Sequence, residues 1–368
     1  MASAGNRNID INNKTVLVLV NFFLPLGNIV STVDTLAKNN NKVIILSDFS
    51  KKSLENHAGR LAAILNRKFI VLPKTAEKLP EYEIPHMYFA FDPQIFSEMR
   101  AGDIAVMENL NLLNRYQIDA LTKMAEVFVN DDFGADAPLI KLLAGSLPRE
   151  NGLEFVRAKK NLDLFLSRSK KPLVLVLGGT VMKGKEAVLD RLMRKAEVVL
   201  IGGGAANLFF KIAGLEIGES AADNEADEKI IKKLWRDYRT KIKLPIDVVV
   251  AANGSDKAEC VKPTAVKSHQ RILDIGPQTT LEFSKFIKQA KTLVWSGALG
   301  MVEEKKFAHG TAALLRLFAS RCVQGKTHVV SAASGETILP LLEQSGFLQR
   351  LDLVLPSSLG LFKALANV

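Results

Sequence analysis

The sequence predicts an α/β protein made of two doubly wound, Rossmann-like parallel-sheet domains. Three observations predict it. Short, continuous, β-branched apolar runs recur along the chain, as in strands buried on both faces of a parallel sheet. Helical patterns separate these runs and make βαβ units. The length, 368 residues, exceeds one ordinary core and suits two.

In chain order, strands are expected at Val16–Val20, Val43–Leu46, Phe69–Val71, Ile104–Met107 and Val127–Val129. A second set follows at Leu173–Leu177, Glu197–Ile201, Asp247–Ala251, Thr292–Trp295 and Thr327–Val330. Between the sets, the charge-rich helical stretch Glu154–Lys170 carries no strand run and stops before Lys171-Pro172. It reads as the connector and sets the domains at 1–155 and 156–368. No internal repeat or low-complexity tract stands out.

Composition is that of a globular protein, 48% hydrophobic and 24% charged, with no apolar run long enough to span a bilayer. Met1 to Asp10 is polar and has no signal-peptide core. Cys260 and Cys322 are the only cysteines, so a disulfide framework is not expected, and a reducing, cytoplasmic setting is. The formal charge of +10 reads as a solubilising surface, with anionic partners as the alternative. The densest basic stretch, Lys229 to Lys243, reads as the wet face of a helix, with Ile230, Ile231, Leu234 and Tyr238 at helical spacing. No RNA-binding signature or zinc-finger spacing occurs, so nucleic acid is not an expected partner.

Ligands of open α/β sheets sit at the carboxyl ends of the strands. In the second set those ends are rich in small residues: Gly178-Gly179, Gly202-Gly203-Gly204, Ser296-Gly297 and Ser331-Ala332-Ala333-Ser334-Gly335. Such turns let backbone N–H groups approach a phosphate or a flat base, and the following helix N-termini add positive potential. Gly179 to Lys185 fits G-x-x-x-x-G-K, but Glu186 stands where a P-loop needs Ser or Thr for magnesium.

Several segments together resemble the phosphoglycerate kinase family. They are Val16-Leu-Val-Leu-Val-Asn-Phe-Phe-Leu-Pro-Leu26, Glu108-Asn-Leu110, Val127-Phe-Val-Asn-Asp-Asp-Phe-Gly134, Leu177-Gly-Gly179 and Ile201-Gly-Gly-Gly204. Gly214-Leu-Glu-Ile-Gly218, Leu244-Pro-Ile-Asp-Val-Val-Val250, Asp274-Ile-Gly-Pro277, Val294-Trp-Ser-Gly297 and Phe307-Ala-His-Gly-Thr311 continue the series in order over nearly the whole chain. The resemblance implies two domains with a cleft between them. The N-terminal domain would take 3-phosphoglycerate and the C-terminal domain Mg-ATP or Mg-ADP, for the glycolytic transfer that gives 1,3-bisphosphoglycerate. It also implies a monomer whose last 20 or so residues return to the N-terminal domain.

On the nucleotide side the resemblance carries most parts over. Lys185 matches the lysine that meets the transferring phosphate, and Glu303 the glutamate on the ribose hydroxyls. Gly178, Gly179, Gly202, Gly203 and Gly204 match the adenine-pocket glycines, Gly335 closes a small-residue turn, and Thr337 matches a phosphate-binding threonine. Glu336 stands where the family holds its metal with an aspartate. Val181 replaces a second phosphate lysine, Ser296 and Ala298 an asparagine and a proline. Ala333-Ser334-Gly335 and Ser357-Ser358-Leu359 each replace a triple glycine.

On the acid side the cations are largely gone. Leu19, Asn28 and Asn111 match three family arginines, and Lys51 a fourth. Asp48 sits where a histidine belongs, and Asn21 and Phe23 replace a substrate-binding aspartate and asparagine. The segment Ala135-Asp136-Ala137-Pro138, which should bring another arginine and a histidine, is shortened. A charge-assisted hydrogen bond contributes about 1.5–3 kcal/mol, and each 1.4 kcal/mol is roughly tenfold in affinity. Losing about four such bonds removes several kcal/mol from the site for an acid with about three negative charges. The expectation is therefore a Mg-nucleotide binder whose family reaction is lost or strongly impaired, a pseudoenzyme that disfavours the small phosphorylated acid. Two alternatives stand beside it, a working acid kinase with a rebuilt site and a non-catalytic scaffold.

Other signals are set aside. Asp132-Phe133-Gly134 lacks the His-Arg-Asp loop of protein kinases. The five histidines show no metal-ligand spacing. Trp295 reads as core.

Overall fold

The computed structural model describes residues 9–48, 54–66, 69–71, 98–107, 110, 115–135, 137–223, 226, 228–253, 257–322 and 329–366. The chain divides into two compact units, Met1–Lys159 and Lys160–Val368.

The first unit runs β1 (Thr15–Leu19), α1 (Leu26–Lys38), β2 (Lys42–Leu46), α2 (Glu55–Leu65), β3 (Phe69–Val71) and β4 (Ile104–Val106). It continues with α3 (Arg115–Met124), β5 (Val127–Asn130), α4 (Ala137–Ala144), β6 (Arg149–Asn151) and α5 (Leu153–Arg168), inside which the division falls. Its six strands lie in the order β3-β4-β2-β1-β5-β6, and every described pairing is parallel. Side chains alternate across the sheet. Val16, Val18, Val43, Ile45 and Val129 join one core with Ile29, Val33 and Leu36 of α1. Leu17, Leu19, Ile44, Leu46 and Phe128 join the other with Ile118 and Leu121 of α3. The register pairs Leu19 with Leu46 on one side and with Asn130 on the other, so the residues after each strand emerge at one edge.

The second unit runs β7 (Leu173–Leu177), α6 (Glu186–Lys195), β8 (Val198–Ile201), α7 (Gly203–Ile212), α8 (Glu228–Tyr238), β9 (Ile242–Lys243), β10 (Val248–Ala252), β11 (Glu259–Val261) and β12 (Gln270–Ile275). Then come α9 (Pro277–Gln289), β13 (Thr292–Ser296), α10 (His309–Arg321), β14 (Val330–Ser334), α11 (Leu339–Gln344), β15 (Leu353–Leu355) and α12 (Ser358–Ala366). Six parallel strands lie in the order β15-β14-β13-β7-β8-β9. Their core gathers Val176, Leu200, Phe283, Trp295 and Phe318. Trp295 is fully buried, edge-on to Phe318, with its Nε1 donating to the Gly297 carbonyl at 2.8 Å.

Two features differ from the sequence expectation. Residues 247–251 do not join the parallel sheet. As β10 they form a separate antiparallel sheet, β11-β10-β12. The flanking Glu259–Val261 and Gln270–Ile275 carry charged or polar residues inside short runs, so apolar continuity did not mark them. The strand expected at Thr327–Val330 instead spans Val330–Ser334, and residues 327 and 328 lie outside the described residues. Its Ser-Ala-Ala-Ser segment has little intrinsic strand preference and is held by pairing with β13 and β15.

The basic stretch is helical over Glu228–Tyr238, where Ile231 and Leu234 of α8 are buried and Lys232, Lys233 and Arg236 exposed; the expected helix does not reach Lys243, which lies in β9. The last helix, α12, rests on α6 of its own unit, with Lys195 Nζ donating to the Leu365 carbonyl at 3.0 Å. Among the described residues, no helix is long and apolar enough to cross a membrane.

Candidate functional site

The carboxyl ends of β7, β8, β13 and β14 meet in a cradle of glycines. Gly179, Gly203, Gly297 and Gly335 all adopt positive φ, between 58° and 112°. Space enforces glycine as well. A Cβ on Gly178 would lie 2.1 Å from the Ala298 carbonyl oxygen, and one on Gly203 2.6 Å from the same atom. A Cβ on Gly202 would meet Leu299, and one on Gly204 would meet Thr180.

The N–H groups of this cradle serve the protein itself. Gly178 donates to Ser296 O and Gly179 to Ala298 O, both at 2.7 Å. Gly202 donates to Leu177 O, Gly203 to Leu299 O, Gly297 to Ser334 O and Gly335 to Pro356 O. The turns were expected to offer free amides to a phosphate. These amides instead knit loop to loop, and the glycines are there so that backbones can touch.

Lys185 stands just before α6, half-buried, with its Nζ donating to the Val181 carbonyl at 2.7 Å. Burial pushes its pKa down, and the carboxylates of Asp223, Glu336 and Glu186 push back. Lys185 and Glu336 are thus brought together, and Gly335 comes within reach of Gly297. Glu336 is exposed and Thr337 half-buried in the turn after β14. Glu303 is exposed in the turn before the short Lys305–Phe307 helix. Val181 is 59% exposed. At the β13 end, Ser296 Oγ donates to Ser358 Oγ at 2.7 Å.

Sequence reasoning missed Asp223. Its Oδ2 accepts the N–H groups of Met182 and Lys183, each at 2.7 Å. No local pattern marks it, because it reaches that loop from some 40 residues further along the chain.

At the matching edge of the first unit, side chains dominate. Asn21 is buried; its Nδ2 donates to Asp132 Oδ2 at 2.9 Å and its Oδ1 accepts from Phe23 N at 3.0 Å. Asp132 Oδ1 accepts from Gly134 N at 2.8 Å. Burial pushes Asp132 up to about 6 against those bonds, and Asp48 adds repulsion. Burial raises Asp48 as well. Leu19 lies fully inside the apolar core.

Asn28 Nδ2 donates to Glu154 Oε1 at 3.2 Å, and Arg157 pairs with Glu154 Oε2 at 2.7 Å. Asp131 caps α5 from outside the helix, its Oδ1 accepting from Glu154 N at 2.8 Å and Phe155 N at 3.2 Å. Gly152 makes this possible, since a Cβ there would lie 2.0 Å from that oxygen. Burial and the neighbouring Glu154 charge push Asp131 up to about 7 despite those bonds. Lys51 and Asn111 lie outside the described residues.

Comparison with known proteins agrees with this architecture. A family model described as phosphoglycerate kinase matches residues 7–357. The chain is 31% identical over 374 residues to the phosphoglycerate kinase of Chloroflexus aggregans, covering 94% of this chain and 91% of that one. It is 29% identical over 360 residues to the Enterococcus faecalis phosphoglycerate kinase, covering 87% and 86%. The solved phosphoglycerate kinase of Pyrococcus horikoshii OT3 superposes with a TM-score of 0.72 at 19% identity, over 100% of this chain and 96% of that chain. That of Coxiella burnetii gives 0.61 at 24% identity, with the same coverage. Order of motifs, sheet architecture and match over nearly the full length converge: the chain belongs to the phosphoglycerate kinase family.

Proposed function

We propose that this protein binds Mg-ADP or Mg-ATP in its second unit and that its transfer to or from 3-phosphoglycerate is lost or strongly impaired. The observation that carries the reading is the strand edge of the first unit. Leu19, at a family arginine position, is core. Asn28, at another, is bonded to a carboxylate. Asp132, Asp48 and Glu154 gather beside them with pKa values raised by burial. A trianion placed there meets desolvated carboxylates where it needs guanidinium groups, and both terms oppose binding.

For the second unit, phosphoryl transfer asks mainly for positioning and positive charge around the moving group. Lys185 supplies an ammonium at the start of α6. The knitted glycines give a rigid floor on which a flat base rests without side-chain obstruction. Glu303 and Thr337 follow the family roles at ribose and phosphate. Glu336 suits magnesium, which takes hard oxygen ligands and typically one or two carboxylates beside the substrate phosphates. Held there with the nucleotide, magnesium would supply charge neutralisation for the phosphates. The same reading makes the protein cytoplasmic and monomeric, with the nucleotide as its small-molecule partner.

Two measurements test it. Mg-ADP is expected to raise the melting temperature, since a ligand at 100 times its Kd adds about 2.7 kcal/mol; no shift at millimolar nucleotide refutes the binding claim. A coupled assay with ATP and 3-phosphoglycerate is expected to give far less than about 1 turnover per second, and rates in the usual kinase range of about 1–100 per second refute the claim of loss.

A further inference from the structure

The loop between β7 and α6 runs from Gly178 to Lys185, and in the reading above it faces the nucleotide phosphates. Two successive backbone amides of this loop, Met182 and Lys183, converge on one point. Convergent successive amides form an anion nest. Here the anion is already present, because Asp223 Oδ2 accepts both N–H groups at 2.7 Å. Asp223 is delivered by a pinned segment: Asn207, 2% exposed on α7, donates from Nδ2 to the Ala221 carbonyl at 2.9 Å.

The same carboxylate is the foremost charge acting on Lys185, ahead of Glu336 and Glu186. Lys185 is moreover tethered to the Val181 carbonyl. Val181 itself is an exposed aliphatic side chain and offers an anion nothing. An incoming phosphate chain therefore meets one engaged ammonium among three carboxylates, with two of the loop's amides taken.

We propose that Asp223 is a built-in anionic competitor for the phosphate chain, which makes nucleotide binding at this loop strongly dependent on a divalent cation. The inference rests on the nucleotide reading of the second unit and names its control. Asp223 is a positioning residue in this scheme, acting on Lys185 and the loop amides; no bond is made or broken at it.

One oxygen accepts both amides, so Asp223→Asn can keep both bonds through its Oδ1 while removing the charge. Charge is thereby separated from scaffolding. The full-length protein, D223N and D223A are titrated calorimetrically with ADP in the presence and absence of magnesium, and with inorganic pyrophosphate. D223N is expected to bind metal-free ADP and pyrophosphate about tenfold more tightly, the scale of removing one like charge near a protein surface. The gain with Mg-ADP should be smaller, so the magnesium dependence shrinks. D223A, which frees the amides as well, should bind pyrophosphate at least as tightly as D223N.

If ADP binds the wild type and D223N equally, with the same magnesium dependence, the competitor role is wrong and the nucleotide reading stands. Weaker binding by both variants also overturns it and makes Asp223 a strut. If no ADP binds but pyrophosphate tightens in D223N, the competitor role stands and the nucleotide reading falls. If neither probe binds any of the three proteins, both fall.

Discussion

Asp131 and Asp247 do the same job in the two units with opposite electrostatic outcomes. Each sits beyond a helix whose N-cap position is glycine, and each reaches in to accept two backbone N–H groups. Asp131 takes those of Glu154 and Phe155 in α5; Asp247 takes those of Gln278 and Thr279 in α9. In both places the missing Cβ makes room: a Cβ on Gly276 would lie 2.2 Å from Asp247 Cγ. Yet the Asp247 pKa lies below its ordinary value, while Asp131 is pushed up to about 7.

The difference is in the surroundings. Burial opposes the charge on both. Asp247 outweighs it with the Thr279 hydroxyl, the two amides and the Cys260 thiol as donors. Asp131 is more deeply enclosed and has the Glu154 carboxylate beside it. A helix N-terminus favours an anion in both cases, but the deeper burial of Asp131, with Glu154 adding a like charge, reverses the sign there. The strand edges show the same contrast on a larger scale. The second unit builds its edge from backbone packed on backbone, which survives drift in side chains. The first builds its edge from side chains, among them the buried carboxylates of Asp131, Asp132 and Glu154 and the partly buried one of Asp48.

The strongest way to break this contrast is Gly178→Ala. Its Cβ would meet the Ala298 carbonyl oxygen at 2.1 Å, inside a mesh that cannot move aside. A loss of about 4 kcal/mol is expected, at the upper end for single substitutions. Both tryptophans, Trp235 and Trp295, belong to the second unit, so their fluorescence in urea reads that unit alone. An unchanged midpoint would mean that the cradle is soft.

Next in size is the pH response of the first unit. Asp131 rises from 3.8 to about 7 on folding, so the folded state holds more protons than the unfolded chain between those values. Stability from this group is full below pH of about 4 and is lost as pH climbs to about 7, by up to about 4 kcal/mol. Asp131→Asn keeps an acceptor for the amides and should flatten that decline. Amide exchange of β1 and β5 from pH 5 to 8 measures it, and a slope identical to wild type would contradict the assignment.

Asp247 should behave in the opposite sense. Its pKa is depressed on folding, so its stabilisation is present above the unfolded value and fades as pH falls through the folded one. Asp247→Asn is expected to cost about 1–2 kcal/mol at neutral pH, the range for loss of a helix cap, and less at pH 3, read by the same tryptophan fluorescence. The smallest effect sharpens the division of labour between units: Lys185→Ala should weaken Mg-ADP binding by about tenfold, near 1.4 kcal/mol, while Lys51→Ala leaves it unchanged. Equal losses in calorimetry would dissolve the distinction.

Much of the fold was legible because its parallel strands are buried on both faces. The runs at Leu173–Leu177 and Phe69–Val71 coincide with β7 and β3, and most others agree to a residue or two. The antiparallel trio was not legible, since Glu259 and Arg271 interrupt its short strands. Of the candidate site, the glycines and Lys185 were visible as residue types at strand ends. Their use was not: a glycine that admits a nucleotide and a glycine that admits another loop leave the same letter. Asp223 and the Asp131 cap were invisible for a further reason. Each acts on amides 23 or more residues away in the chain, and nothing local encodes that reach.

By itself the sequence determined two α/β halves, the order of motifs that marks the family, and the small residues at the strand ends of the second half. Those are matters of period and residue type, which a linear chain carries intact. Only the tertiary structure decided which carboxylates end up starved of water, which amides remain to be filled, and which anion fills them. These depend on distance and burial, and both arise when strand register brings Leu19, Leu46 and Asn130 side by side, or when Asn207 pins the segment that carries Asp223.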